Sequence, residues 1–277
     1  MGVFAAFIAP ALAGVFVGVM SGLLGVGGGT IMVPIFRLAF GMSPLASTAT
    51  SLFAIIPTSI SGVVAHARAK TCLPKLGLAL GVGGAVMSPM GVWLASVSPG
   101  WLVICVAAIV IGFSAFKMFK KAVKCAPTPR AGRAGGNVQA ASAKAVPDQP
   151  VLSRKQYLQG ACIGLIAGLA SGYVGVGGGF IMVPLMLAVL DIPMSLASGT
   201  SLIAIMILAI PGVIEQGLLG NIEYLAGIAI VVGSIPGALV GARLVRVVPE
   251  RQLRFIFGGF LLVAAVMLML NEFGILG

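Results

Sequence analysis

Two identical glycine runs, GVGGG at 25–29 and again at 175–179, are the segments of this chain best suited to bind a ligand. Glycine destabilises a helix by about 1 kcal/mol relative to alanine, so three in succession predict a helix break at each run. The unpaired N–H groups there, with the positive end of the helix that begins at Thr30 or Phe180, favour an anion. The candidate binding residues are Gly27, Gly28, Gly29, Gly177, Gly178 and Gly179. The alternative is that these glycines only allow close helix packing.

Four hydroxyl residues occupy matched positions early in two predicted helices. They are Thr50 and Ser51 in SPLASTATSL (43–52), and Thr200 and Ser201 in IPMSLASGTSL (192–202). Ser43 and Asp191 are the expected caps of these helices. A hydroxyl donates a hydrogen bond to an oxyanion without carrying charge into lipid, so all four are candidate binding residues. The alternative is that they bond to helix carbonyls or to neighbouring helices.

A short apolar segment follows each glycine run and contains a proline, Pro34 or Pro184, which we expect to contribute to the helix break. Arg37 lies in the first of these segments, and a charge in such a place indicates function by default. We predict that Arg37 attracts the anion; the alternative is that its side chain extends to the outer surface. Its counterpart is Leu187, so this role belongs to one half only.

The sequence contains no recognisable set of catalytic or metal-binding residues. The lone histidine, His66, has no neighbour that completes a catalytic pair, and we expect it to be structural. The cysteines are scattered and show no CxxC pair, and we expect buried structural thiols. They are Cys72, Cys105, Cys125 and Cys162. We therefore predict no enzyme, no metal and no cofactor.

The elements that position these residues are predicted to be membrane helices. Hydrophobic residues make up 59% of the 277-residue chain and charged residues only 8%, whereas soluble domains carry about 25% charged residues. Apolar stretches long enough to span a membrane occur at 3–24, 44–66, 74–96, 101–119, 156–176, 193–217, 222–243 and 251–270. The segments 30–41 and 180–190 are too short to span alone. The first stretch lacks a basic start, so we expect a retained helix and not a leader peptide.

The chain contains an internal duplication. SGLLGVGGGTIMVP (21–34) reappears as SGYVGVGGGFIMVP (171–184), an offset of 150 that also aligns Thr50 with Thr200. We predict a first membrane repeat at 1–119, a flexible basic linker at 120–154 and a second repeat at 155–277. Gly233, Gly237 and Gly241 recur every four residues and predict a close-packed helix face.

Loop charges indicate that the two repeats are inverted. The loop near 66–75 holds Arg68, Lys70 and Lys75, whereas its counterpart near 215–223 holds Glu215 and Glu223. By the positive-inside rule the linker is cytoplasmic and both termini are outside. The net charge of +11 is thus explained by basic residues that orient the protein in the membrane and attract anionic lipid headgroups, and does not indicate nucleic-acid binding. Each half then crosses an odd number of times: five if the short segment spans, three if it forms a re-entrant hairpin with the first segment.

The predicted fold class is therefore all-α: a polytopic transmembrane bundle of two inverted-topology repeats with glycine-broken or re-entrant helices. Inverted repeats are a common plan of secondary transporters, whose substrate sites lie near the midplane at the repeat interface. A channel for the same ions is not excluded. An intramembrane enzyme or an assembly subunit is disfavoured because no catalytic group accompanies the motifs.

The paired GVGGGxxxVP element, together with the basic central loop, resembles the TauE/SafE family of sulfite exporters. The resemblance covers essentially the whole membrane part and implies a multi-pass carrier of the bacterial inner (cytoplasmic) membrane for sulfite, organosulfonates or other sulfur-containing anions. It makes Gly27–Gly29 and Gly177–Gly179, with Pro34 and Pro184, the family element. Membrane lipid is the other expected partner, and no nucleic acid is expected. The choice of anion, uptake coupled to H⁺ or Na⁺ in place of export, and a homodimer all stay open.

Overall fold

The computed structural model describes residues 3–99, 153–174, 177–245 and 247–272 continuously, and residues 102, 106, 109, 112–116, 118–120 and 123 between them. All the regular elements within these residues are helices. In chain order they are α1 (Val3–Leu24), α2 (Gly29–Leu38), α3 (Pro44–Arg68), α4 (Pro74–Val97), α5 (Arg154–Val174), α6 (Gly179–Leu185), α7 (Met194–Leu218), α8 (Tyr224–Leu244) and α9 (Glu250–Glu272). A π-helical turn, Met186–Leu190, continues α6.

The helices coincide with the apolar stretches of the sequence to within a few residues, so the all-α polytopic class is confirmed. Among the described helices, α1, α3, α4, α7 and α8 are long and apolar enough to cross a membrane. The scattered described residues between 102 and 123 are helical as well. Most of the predicted linker, 120–154, lies outside the described residues.

The helices α3 and α7 begin with different caps. Ser43 Oγ accepts a hydrogen bond from the Ala46 N–H at 3.2 Å, as predicted. Asp191 does not cap α7, so that expectation was wrong. Pro193 fills the N-cap position, and Asp191 stands two residues earlier, exposed and in a left-handed conformation. The Met194 N–H donates instead to Glu250 Oε1 at 3.3 Å, which ties the start of α7 to the start of α9.

The closest packing joins helices of different halves. Helix α1 packs along α8, and α5 packs along α4, which is the same pair in the 150-residue offset. Glycines on all four helices face the backbone of the partner, so a Cβ there would overlap a main-chain atom. They include Gly14, Gly18, Gly22, Gly233, Gly237 and Gly241 for α1 and α8, and Gly164, Gly168, Gly172 and Gly91 for α5 and α4. The predicted close-packed face of α8 is confirmed.

Helices α3 and α7, which are equivalent in the two halves, cross each other in opposite directions. Gly62 of α3 faces Leu202 of α7, whereas Gly212 of α7 faces Leu52 of α3. The crossing is centred near residue 57 and its counterpart 207. The residue pairs that meet between the other neighbouring helices show that α1, α3 and α8 run in one direction and that α4, α5 and α7 run in the opposite direction.

These directions place most described basic residues at one end of the molecule. The end of α3, the end of α8 and the beginnings of α4, α5 and α9 meet there. They carry Arg68, Lys70, Lys75, Arg154, Lys155, Arg243, Arg251 and Arg254. The α7–α8 loop, with Glu215 and Glu223, and the end of α2, with Arg37, lie at the opposite end. This segregation is the charge pattern on which the predicted orientation rests.

Each glycine run turns the chain back on itself. Gly28 already lies beside Val17 and Ser21 of α1, and Gly178 lies beside Ala167 and Ser171 of α5. The pairs α1–α2 and α5–α6 are therefore hairpins. At 10 residues α2 is about 15 Å long, half of a ~30 Å hydrocarbon core. Helix α1 is long enough to cross that core, whereas α2 returns from Gly28 over about half of it.

Candidate functional site

The helices break at the glycine runs, where the backbone of four candidate glycines is left-handed. Gly27 and Gly28 have φ of 77° and 83°, and Gly177 and Gly178 have φ of 85° and 69°. Side chains with a Cβ rarely adopt this left-handed conformation, so glycine is required at these four positions. The short helices α2 and α6 begin directly afterwards, and no side chain of the described residues caps the first turn of either.

The two breaks meet in the interior of the bundle. A Cβ at Gly27 would contact both Ile205 and Ile55, and a Cβ at Gly177 would contact the same two side chains. These isoleucines flank the centre of the α3–α7 crossing. A Cβ at Gly179 would stand 2.8 Å from the Cα and carbonyl oxygen of Val26, so the two breaks touch through their backbones. All six candidate glycines are buried.

The predicted hydroxyl residues are buried, but they do not act alike. Thr50 Oγ1 accepts a hydrogen bond from the Glu223 N–H at 3.0 Å, and Thr200 Oγ1 accepts one from the Leu73 N–H at 3.0 Å. These are the interhelical bonds that the sequence analysis gave as the alternative to ligand binding. The two donors belong to the residues that immediately precede helices α8 and α4, where a backbone N–H has no partner within its own helix. These bonds favour the alternative, and anion binding by the threonines is an untested prediction.

Ser201 belongs to the first break although it lies on α7 of the second half. Its hydroxyl is 2.6 Å from the Gly25 carbonyl oxygen and 2.8 Å from the Ser198 carbonyl oxygen. A hydroxyl has one proton to donate, so the two carbonyls share it. Ser51 donates to the Thr48 carbonyl within its own helix at 2.8 Å. Ser201 therefore supports the shape of the break.

Three buried hydroxyls that the sequence analysis did not single out have no hydrogen-bond partner among the described residues: Ser21, Thr30 and Ser59. Ser21 lies against Gly28, and Thr30 is in the first turn of α2. Burying an unsatisfied hydroxyl costs about 1–3 kcal/mol, which makes these atoms candidate ligand contacts. Ser21 could have been found, because the repeated motif places Ser171 at the matching position.

The break of the second half is less polar than the first. Phe180, fully buried, replaces Thr30 at the start of the short helix. The Gly179 N–H, moreover, already donates to the Gly177 carbonyl at 2.9 Å. The unsatisfied hydroxyls beside a glycine break, Ser21 and Thr30, are thus both in the first half.

The prolines and Arg37 lie further along the short helices. Helix α2 continues through Pro34 to Leu38, whereas α6 passes into the π-helical turn two residues after Pro184. Arg37 occupies the last turn of α2, half-buried, at the end of the molecule opposite the basic loops. It is therefore about 10 Å along the helix from Thr30 and lies outside the region where the two breaks meet.

His66 is fully buried at the end of α3. Its Nε2 is 2.9 Å from the Gly22 carbonyl oxygen at the end of α1, and its Nδ1 is 2.8 Å from Thr71 Oγ1. The carbonyl can only accept, so Nε2 carries a proton. These bonds hold the end of α1, just before the first break, against α3, which is a structural task. No group of metal-binding side chains occurs among the described residues.

The sequence profile described as "Sulfite exporter TauE/SafE" matches residues 10–268. The chain belongs to this family. Relatives named "Probable membrane transporter protein" include YdhB of Bacillus subtilis, 28% identical over 238 residues that cover 86% of this chain and 89% of that protein. YunE of the same organism is 27% identical over 248 residues, with 87% and 89% covered.

A more distant relative, the "Probable membrane transporter protein MJ0441" of Methanocaldococcus jannaschii, is 24% identical over 276 residues and is covered over 94% of its length. No solved structure matches the chain significantly. The family, these relatives and the five spanning helices agree that the TauE/SafE chain is a multi-pass membrane transporter.

Proposed function

We propose that this TauE/SafE member is a secondary carrier that exports sulfite or a related sulfur-containing anion, organosulfonates included, across the cytoplasmic membrane by alternating access. The observation that carries the proposal is the contact between the two glycine breaks beside Ile55 and Ile205. Transporters built from inverted repeats bind their substrates near the midplane, where interrupted helices meet at the repeat interface.

The proposed site lies between the breaks and is formed mainly by the first one. The uncapped first turn of α2 supplies N–H donors and the positive end of a helix, both of which attract an anion. Ser21 and Thr30 supply two hydroxyl donors without charge. Gly27–29 and Gly177–179 allow the backbones to approach the anion, and Ser201 holds the Gly25 carbonyl away from it by hydrogen bonding.

The antiparallel crossing of α3 and α7 supports the proposal that the repeats are inverted in the membrane. With the basic end in the cytoplasm, the linker is cytoplasmic and both termini are outside. The two hairpins then enter from opposite sides, α1–α2 from outside and α5–α6 from the cytoplasm. Small movements of one hairpin against the other would open the central site to one side at a time.

The membrane potential favours export. An anion that leaves a cell with a negative interior gains about 2.3 kcal/mol per charge per 100 mV, so efflux requires no coupled ion. The described spanning helices show no chain of acidic residues that would relay protons for uptake. The proposal includes no enzyme activity, because the hydroxyls at the first break, Ser21 and Thr30, have no hydrogen-bonded base among the described residues.

A panel of anions assayed in proteoliposomes tests this function. Sulfite, sulfate, thiosulfate, sulfoacetate and taurine are loaded in turn, and efflux is followed with the interior held negative. We expect saturable sulfite or sulfonate efflux that is accelerated by the same anion on the other side. Flux that stays linear with concentration would indicate a channel, and no flux of any of the five would contradict the proposal.

A further inference from the structure

An apolar groove of about 610 Å³ lies on the surface of the helix bundle, between α1, α2 and α9. Thr30 lines it, and the other lining residues are all apolar, among them Phe16, Phe255 and Met267. Along α9 it extends from Phe255 to Met267, about 18 Å at the helical rise. One leaflet of a ~30 Å hydrocarbon core is about 15 Å deep, so the groove has the length of a single acyl chain.

The centre of the groove is open at a glycine. Apart from the backbone of its own helix and its chain neighbours, no atom of the described residues lies within 4 Å of the position that a Cβ would occupy at Gly259, although neighbouring Gly258 faces Phe119 closely. A side chain would fit here without moving the backbone. The missing side chain thus leaves a space in the apolar wall of the groove.

A cation marks the cytoplasmic end of the groove. The Arg251 guanidinium lies over the ring of Phe255, 5.7 Å from its centroid, and Phe255 is a groove residue. The nearby Arg254 is paired with Glu250 at 2.6 Å, whereas Arg251 has no acidic partner in the described ranges. The Nε atoms of both arginines are buried and lack a hydrogen-bond acceptor among the described residues, so the missing acidic partner is what distinguishes Arg251.

We propose that this groove is a binding site for an anionic phospholipid of the cytoplasmic leaflet. One acyl chain lies along α9 over Gly259, and the phosphate of the headgroup accepts hydrogen bonds from Arg251. Charge complementarity selects the headgroup, since each basic residue near the surface attracts anionic lipid. The apolar wall binds the chain through burial of its methylene groups. The groove adjoins the central anion site at Thr30, which lines it, and the choice of leaflet rests on the proposed orientation, but lipid binding does not require the anion.

Native mass spectrometry of delipidated protein, with phosphatidylglycerol or phosphatidylethanolamine added back, tests the site. For Gly259→Leu, which fills the groove, we expect the occupancy of both lipids to fall about tenfold. Gly112→Leu is the matched control, because a Cβ at Gly112 also meets nothing within 4 Å but lies outside the groove. That variant should retain both lipids.

Arg251→Gln tests the headgroup without touching the groove wall. We expect the preference for phosphatidylglycerol over phosphatidylethanolamine to fall about fivefold, and Arg251→Lys to keep most of it. Equal retention of the two lipids by the unmodified protein would overturn the proposal. So would unchanged lipid occupancy in Gly259→Leu, including the case in which only the oligomeric state changes, since the groove would then be a contact between copies.

Discussion

Gly179 of the second half lies directly against the backbone of Val26 in the first half, so that a methyl group on Gly179 would come within 2.8 Å of the Val26 carbonyl oxygen. The two residues are far apart in sequence, and each belongs to a glycine break. Their contact joins the two breaks into one structure at the centre of the bundle. There is no space for a side chain at this point, and the proposed central site depends on this close contact.

Gly179→Ala should therefore impair transport. The added methyl group separates the breaks and also meets Ile205 at 2.6 Å. Overpacking of this kind costs about 1–3 kcal/mol, so we expect sulfite efflux to fall about tenfold while the protein still inserts. The control is Gly112→Ala, the same change where nothing lies within 4 Å. Equal efflux in the two variants would show that contact between the breaks is not required.

Thr30→Val should weaken anion binding. It removes a buried hydroxyl that has no partner among the described residues, and a hydrogen bond to a charged group contributes about 1.5–3 kcal/mol. We expect the KM for sulfite to rise about tenfold to hundredfold. Ser21→Ala should act in the same direction. Thr48→Val, on a half-buried residue near the start of α3, is the control. An unchanged KM in both Thr30→Val and Ser21→Ala would remove these hydroxyls from the site.

Thr200→Val distinguishes the two interpretations of the repeated threonines. The Thr200 hydroxyl accepts a hydrogen bond from the Leu73 N–H at 3.0 Å, and its loss leaves that buried donor unsatisfied. We expect the free energy of unfolding to fall by about 1–3 kcal/mol, measured as a lower Tm, with the KM for sulfite unchanged. Thr50→Val should lower the Tm similarly through Glu223. A raised KM at unchanged Tm would instead make the threonines anion ligands.

Cysteine labelling tests the inverted arrangement. Single cysteines at Lys75 and Leu219, both exposed in loops or at helix ends, should be labelled from opposite sides of the membrane: Lys75→Cys from the cytoplasm and Leu219→Cys from outside. In the unmodified protein, the native Cys72 should react slowly, because burial raises the pKa of its thiol and lowers the thiolate fraction. Labelling of both engineered positions from one side would exclude the proposed topology.

Much of the fold follows from the sequence alone. Apolar length fixed the helix bounds to within a few residues, and the offset of 150 paired the equivalent elements. The sequence could not choose between a spanning and a re-entrant α2, because 10 residues satisfy either arrangement. That choice depends on the position of Gly28 beside Val17 and Ser21, a contact that no local pattern encodes.

The candidate site was only partly predictable. The glycines were identified because their backbone conformation demands that residue type, which leaves a direct trace in the sequence. The partners of Thr50 and Thr200 were not, because the bonds join helices of opposite halves. The Thr30 hydroxyl was not predicted as a ligand contact, because the matching residue of the second repeat is Phe180. Comparing the repeats draws attention only to residues that are the same in both. The candidate site is therefore asymmetric between the two halves.

Equilibrium binding of radiolabelled sulfite to the purified protein tests the central claim most directly. If the two breaks form one shared site, the protein binds one anion per chain. That binding is weakened both by Thr30→Val in the first half and by Gly179→Ala in the second. Two independent anions per chain, or binding that is insensitive to a change in either half, would contradict a single site at the meeting point of the breaks.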